Sequence, residues 1–259
     1  MIQISAVIIT YNEEKKIARC IDSLKGVADE VLIVDSFSTD QTQLIATSKG
    51  ARVIEKAFDG YTDQKNFAVQ QAKYDYILSL DADEYLSEDL LKSMIEVKSN
   101  WQADGYSMNR LNSYAGKWIR SCGWYPDNKI RLFDRRRGKW QGDLVHEVVV
   151  MNKDSKVVSL DGDLLHEAYD NANQLIWKMQ GRYADLFAQA NAHKKKVTAF
   201  KIVYKTLASF LKSYILKGGI WDGYEGLVIS VSNANGVFYK YAKLLEINRA
   251  SKQGAKRKE

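Results

Sequence analysis

A chain of 259 residues, 46% hydrophobic and 27% charged, is long enough for one sizeable core or a core with an appendage, and its composition excludes a disordered protein. No apolar run reaches the ~18–20 residues needed to cross a bilayer, and the two cysteines, Cys20 and Cys122, stand in no metal-like spacing. The net charge of +6 conceals two opposed regions: residues 1–170 hold 22 Lys/Arg and 27 Asp/Glu, a net of −5, whereas residues 171–259 hold 16 against 5, a net of +11.

The opening "MIQISAVIIT" starts directly with a strand, so no secretory leader is expected, and both cysteines read as reduced thiols of a cytoplasmic protein. "ISAVIIT" predicts a buried strand and "NEEKKIARCIDSLKGV" a helix that stops at Gly26. "EVLIVDS" predicts a second strand, "DQTQLIATSKG" a second helix, "ARVIEKAF" a third strand and "TDQKNFAVQQAK" a third helix. "DYILSLDAD" and "SEDLLKSMIEVK" complete the alternation, with Ser87 as cap and Glu88 and Asp89 suited to the first helical turn. Continuous apolar strands alternating with amphipathic helices imply an α/β fold: a Rossmann-like, mostly parallel sheet with helices on both faces. Ligands of such sheets bind at the carboxyl ends of the strands, where Thr10, Asp35 and Asp81 fall. After Trp101 the pattern turns to short strands and loops rich in aromatics and arginines. From about Asn171 it is helical, with a glycine-rich break at "KGGIWDGYEG" and a tail from about residue 250 that reads as disordered. No internal repeat is found.

The stretch "YILSLDADEYL" places Asp81 and Asp83 two apart on an extended chain, where side chains point the same way. Adjacent carboxylates repel and need a compensating cation, and hard oxygen ligands select Mg²⁺ or Mn²⁺ shared with a substrate's phosphates. An ordinary strand end before a capped helix is the alternative.

"VIITYNEEKKIARCIDSL", "VLIVDSFSTDQT" and "YILSLDADEYL", in this order, resemble the three N-terminal signatures of family 2 glycosyltransferases. The resemblance covers roughly residues 1–170 and implies the GT-A fold, with a nucleotide-sugar half (1–100), an acceptor half (101–170) and, beyond it, a basic amphipathic helical region (171–259). "RLFDRR", "VHE", "LLHEAY" and "ILKGGIWDGYEG" resemble the branch containing bacterial lipopolysaccharide core β-glucosyltransferases. The implied activity is metal-dependent, inverting transfer of a sugar, glucose from a UDP-sugar, to a lipopolysaccharide core or other lipid-linked acceptor.

The resemblance also distributes roles. Asp83 is the expected direct ligand of Mn²⁺ or Mg²⁺, with Asp81 on the ribose or the metal's water shell. Asp35 is placed to accept the N3–H of uracil, or else to close an Asx-type turn. Ser36 stands where the family usually has a second acidic residue. Thr10 and Tyr11 line the base, although Tyr11 also suits generic packing. Glu13 matches the position after "TYN" but also suits helix capping. Lys65, with Asn66 beside it, and Arg131 are cations for base or diphosphate, while Arg135, Arg136 and Arg137 read as a solvated turn. Two His-Glu pairs follow. Glu147 and His166, 19 positions apart, fit the family's order of catalytic base and metal histidine, with His146 on acceptor or diphosphate. Exchange of these roles with Glu167's pair is the internal alternative.

"KVTAFKIVYKTLASFLKSYILK" is amphipathic at helical spacing, with Phe200, Val203, Leu207, Phe210, Leu211 and Tyr214 on one stripe and Lys201, Lys205 and Lys212 opposite. It reads either as a helix packed on its own domain or as one lying at the inner face of the cytoplasmic membrane, its lysines meeting anionic glycolipid or phospholipid. No nucleic-acid motif accompanies the basic region. Undecaprenyl-linked, capsule or protein acceptors are alternatives with the same fold. A nucleotidyltransferase would need a glycine-rich loop where "TYNEEKK" stands, and a haloacid-type phosphatase a different residue after "DADE". A non-enzymatic sugar-nucleotide-binding or membrane scaffold protein is the alternative of another class.

Overall fold

The structure is a computed structural model that describes residues 1–142, 147–177, 183–192, 194–195 and 197–256. The chain forms two compact units, Met1–Leu111 with Pro126–Glu167, and Asn112–Tyr125 with Ala168–Glu259. Residues 112–125, which precede the boundary expected at 170, group with the C-terminal helices.

In the first unit β1 (Ile4–Thr10), β2 (Glu30–Asp35), β3 (Arg52–Glu55) and β4 (Tyr76–Asp81) are joined through α1 (Ile17–Asp22), α2 (Thr42–Ser48) and α3 (Tyr61–Gln71). They lie parallel in the order β3-β2-β1-β4. Each apolar run feeds both faces of the sheet. Ile4, Ala6 and Ile8 of β1 enter a core with Ile17, Cys20 and Ile21 of α1 and with Leu90 and Met94 of α4 (Glu88–Ser99). Val7 enters a second core with Ala68 and Val69 of α3. Burying such side chains contributes ~1.5–3 kcal/mol each. α1 is shorter than expected at its start: Asn12 adopts φ +54°, which no helix contains, and residues before Ile17 make turns. Ser87 caps α4, its Oγ accepting the Leu90 N–H at 3.2 Å.

The sheet is mixed rather than mostly parallel. β8 (Asn128–Asp134) joins β4 antiparallel, followed by β6 (Gly105–Tyr114), β11 (Val157–Tyr169) and β5 (Glu84–Leu86), with β7 (Lys117–Trp118) pairing β6. The physical reason lies in the connections. Parallel strands need a crossover of a dozen or more residues, and after α4 no helix intervenes before β11 ends among the described residues. The three-residue β5 lies inside the stretch read as a strand end. The second face is covered by α3 and by the ribbon of β9 (Gly138–Gln141) and β10 (Val148–Met151), whose Trp140 and Val149 join its core. The arginine run is the turn between β8 and the next strand, with Arg136 exposed as expected, and its side chains are paired as well: Arg135 binds Asp75 at 2.9 Å and the carbonyls of Val69 and Ala72, and Arg136 binds Asp134 at 2.7 Å.

In the second unit α5 (Ala172–Ile176), α6 (Tyr183–Asn191), α7 (Ala199–Leu211), a π-turn at Lys212–Leu216, a 3₁₀ turn at Gly219–Asp222 and α8 (Gly223–Lys256) follow one another. α8 continues past residue 250, where the composition suggested disorder, because Ala, Lys and Gln are good helix formers. Residues 112–125 are held there by Cys122 N–H on the Lys217 carbonyl (2.9 Å) and by Lys117 on Asp222 (3.1 Å). Gly226 approaches so closely that a Cβ would lie 1.8 Å from the Gly219 carbonyl oxygen, which explains the glycines of "KGGIWDGYEG". The stripe expected on α7 divides: Phe210 and Tyr214 stack on one another at 5.3 Å and are half-buried, whereas Phe200, Val203, Leu207 and Leu211 are exposed.

Gly162 in β11 has φ +92°, and a Cβ there would lie 2.2 Å from the Leu90 nitrogen. Gly50, at φ +82°, faces open space. Gly162→Ala is therefore expected to lower the unfolding free energy well beyond the ~1–3 kcal/mol of positive-φ strain that Gly50→Ala alone carries. Parallel urea titrations of the two variants check the difference.

Candidate active site

The register of the parallel strands sets the site. Thr10 pairs with Asp35, and Ile9 with Asp81, so β1, β2 and β4 end nearly level. The turns after β1 and β2 interlock. Ser38 donates its N–H and Oγ–H to Asp35 at 2.7 and 2.5 Å and accepts the Asn12 N–H at 2.8 Å, while Asn12 Oδ1 accepts the Thr39 N–H at 2.8 Å. Gln43 Nε2 gives Asp35 a third hydrogen bond at 2.7 Å. Asp35 is fully buried and closes the Asx-type turn weighed as its alternative. Tyr11 and Phe37 stand exposed at 58% and 52% on these two turns, and Phe37 holds φ +62°, a costly conformation for a bulky residue. Thr10 is buried, with no hydrogen-bond partner for its Oγ1 among the described residues. The Glu13 backbone starts α1, its carbonyl accepting the Ile17 N–H at 2.9 Å.

At the end of β4 the carboxylates go separate ways. Asp81 meets Lys65 of α3 at 3.0 Å and Arg131 of β8 at 3.4 Å. Lys65, only 2% exposed, also holds Glu147 at 3.1 Å. Arg131 binds Glu84 at 2.6 Å, Arg110 reaches the same Glu84 oxygen at 3.4 Å and Asp127 at 2.8 Å, and the other Glu84 oxygen accepts the Asp81 N–H at 3.1 Å. The Trp140 ring covers both cations, 4.4 Å from Lys65 and 5.3 Å from Arg131. Burial alone would raise the Asp81 pKa, but Lys65 and then Arg131 hold it far below the usual carboxylate range.

Asp83 faces a histidine instead. His166 Nε2 lies 3.3 Å from Asp83 Oδ2. Burial opposes ionisation of Asp83, and the charge and hydrogen bond of His166 outweigh it, so its pKa is lowered. The pairing of β11 with β5 sets His166 opposite Glu84, and the next residue, Glu167, straps the loop with its N–H on the Asp83 carbonyl at 3.0 Å. The Glu167 side chain binds Arg19 at 2.6 Å.

The structure thus brings Asp83 and His166 together, and separately gathers Asp81, Lys65, Arg131 and Glu147. Asp83, the expected direct ligand, stands with His166, whereas Asp81, expected on the ribose or the metal's water shell, is engaged by Lys65 and Arg131; among the described residues no three His, Cys, Asp or Glu side chains are arranged to hold a metal. His146 lies outside the described residues. Asn12, Ser38, Phe37, Gln43, Arg110 and Trp140 were not singled out from the sequence; Glu84 was visible there only as a third carboxylate beside Asp81 and Asp83 in "YILSLDADEYL", with no role.

Residues 5–155 match the model for glycosyl transferase family 2. The chain belongs to that family. Among its relatives, an uncharacterised glycosyltransferase of Rickettsia typhi is 34% identical over 97% of this chain and 90% of its own. The lipopolysaccharide core biosynthesis glycosyltransferase LpsC of Rhizobium meliloti is 30% identical over 94% of this chain and 92% of its own. A solved structure with similarity is glucosyl-3-phosphoglycerate synthase of Mycobacterium tuberculosis with Mn²⁺, UDP and glucosyl-3-phosphoglycerate, at 22% identity and TM-score 0.36 over 43% of this chain and 44% of that one. The sequence resemblance is confirmed at the level of family: this is a family 2 glycosyltransferase with an α/β sheet fold.

With Asp81 held low by Lys65 and Arg131, this glycosyltransferase is expected to lose stability in acid. A carboxylate lowered in the folded state contributes stability above its unfolded value of about 4 and loses it as the pH falls toward the folded value. Wild-type unfolding free energy should fall more steeply than that of Asp81→Asn below pH of about 5, and at neutral pH the variant should be weaker by ~1–3 kcal/mol. Urea titrations across pH check both; equal slopes would contradict the assignment.

Proposed function

We propose that this chain is a metal-dependent, inverting glycosyltransferase that moves glucose from a UDP-sugar to a lipopolysaccharide core or other lipid-linked glycan at the inner face of the cytoplasmic membrane. The observation that carries this reading is the fork at the end of β4, where Asp81 is taken up by Lys65 and Arg131 while Asp83 meets His166. Two protein donors, one carboxylate and one imidazole, suit Mg²⁺ or Mn²⁺ whose remaining positions are filled by a substrate's phosphate oxygens. A cation held by Asp83 and His166 would neutralise the negative charge that develops on the departing diphosphate.

The chain's own residues supply the rest. Asp35 uses three acceptor positions on Ser38 and Gln43, and a carboxylate has about four; the remaining one suits the imide N–H of uracil. Tyr11 and Phe37 offer ring faces to the base. Glu147 accepts the proton of the acceptor hydroxyl as it attacks, and Lys65 fixes the orientation of that carboxylate. The acceptor class is supported by the likeness to LpsC, which is named for lipopolysaccharide core biosynthesis. Membrane association is supported by the net +11 of residues 171–259. No helix among the described residues is long and apolar enough to cross a membrane, so the contact would be peripheral.

Asp83→Ala is expected to abolish EDTA-sensitive turnover of UDP-glucose and to weaken UDP binding while the circular dichroism spectrum is unchanged; near-normal turnover would contradict the reading. Glu147→Gln keeps shape but removes the proton acceptor, so turnover should fall by roughly 10²–10⁴ with UDP affinity retained. An equal loss of UDP affinity would instead place Glu147 with Lys65 in donor binding.

A further inference from the structure

α7 is built the wrong way round for a helix that serves only its own core. Its buried apolar residue is Ile202, 6% exposed, which packs with Ala188 of α6 and Leu244 of α8. Phe200, Val203, Tyr204, Leu207 and Leu211 are 51–82% exposed. At 100° per residue all five fall on the side of the helix away from Ile202, spaced three and four apart. This is an apolar stripe at helical period turned outward.

Exposed apolar side chains continue along the chain beyond the helix. The π-turn and 3₁₀ turn that follow present Leu216 at 78%, Trp221 at 88% and, at the start of α8, Tyr224 at 69% exposure. The turn is rigidly made. Gly219 and Gly226 are packed too closely to accept a side chain, and Ser213, beneath it, accepts hydrogen bonds from Ser230 and Asn233, each at 3.0 Å. Lys201, Lys205 and Lys212, four and seven residues apart, run along one flank of the stripe.

We infer that the outward face of α7 and the tip Leu216–Tyr224 form an interfacial anchor, inserted at the headgroup–acyl boundary of an anionic lipid surface. The inference rests on the membrane reading above and specifies which residues enter the lipid. Three observations choose lipid over a second copy of the chain. The lysine flank complements anionic headgroups but would add like charge to a contact between copies. Trp and Tyr at the tip are the side chains favoured where one end of a ring is apolar and the other wet. The helix has the outward apolar stripe and basic flank of helices that lie on membranes without spanning them.

The test uses the full-length protein with vesicles of phosphatidylcholine alone or mixed in equal parts with phosphatidylglycerol. Wild type should sediment with the mixed vesicles, and lipid carrying brominated acyl chains should quench part of its tryptophan fluorescence. Trp221→Phe should bind and lose most of that quenching. Leu207→Ser with Leu211→Ser, both at exposed positions, should weaken vesicle binding at least about tenfold, as expected when apolar insertion is removed, and leave UDP-glucose hydrolysis in solution unchanged. Binding to mixed vesicles without Trp221-dependent quenching, and with the double variant behaving as wild type, would overturn the anchor while leaving an electrostatic membrane reading intact. No binding to either vesicle would overturn both, and a dimer by light scattering that the double variant dissociates would assign the face to a second copy.

Discussion

Two cations buried at the end of one strand constrain the first unit. Lys65 and Arg131, 2% and 3% exposed, have left water and are tolerable only if paired. Asp81 serves both, Glu147 completes Lys65, and Glu84 completes Arg131. Each partner comes from a different element: α3, β4, β5, β8 and the edge of β10. The ion network therefore fixes where these elements meet, and the Trp140 ring over both cations limits their access to water. Glu84 is decisive, because it binds two arginines with one oxygen and the Asp81 backbone N–H with the other.

This arrangement gives the two aspartates of the motif different chemistry. A carboxylate already shared by two cations has little left to offer a metal ion. One facing an imidazole across 3.3 Å keeps lone pairs free, and imidazole is a side chain that commonly ligates metals, which is why the proposed cation is put on this branch. The backbone enforces the division: β11 sets His166 opposite Glu84 of β5, and Glu167 N–H ties the loop carrying Asp83. The level ends of β1, β2 and β4 put the Asp35 turn and the Asp81 network at the same edge of the sheet, where α/β proteins bind their ligands.

What the sequence disclosed follows from range. β1 is predicted to the residue, because the apolar run of "ISAVIIT" is a local signal, and the Ser87 cap is equally local. β5 was not legible: three residues inside an acidic stretch become a strand only because β11, some eighty positions later, pairs with them. The partners of Glu84 are 26 and 47 positions away, and Trp140 meets Lys65 across a still longer separation, so no spacing rule announces them. The antiparallel half was hidden by the strongly parallel grammar of the first hundred residues. On α7 the periodicity gave the stripe but not its direction, since a repeat of 3.6 is the same whether a face meets protein or solvent.

In the function proposed here the Asp83–His166 branch of the fork, and not the Asp81 branch, would take up a divalent cation with the donor's diphosphate. Pulsed electron paramagnetic resonance of the protein with Mn²⁺ and UDP tests it most directly, because it reads the nuclei bound to the metal. The account predicts nitrogen modulation from a single imidazole, present in wild type and in Asp81→Asn and lost in His166→Gln. A wild-type spectrum without nitrogen modulation, or one that His166→Gln leaves unchanged, would contradict it.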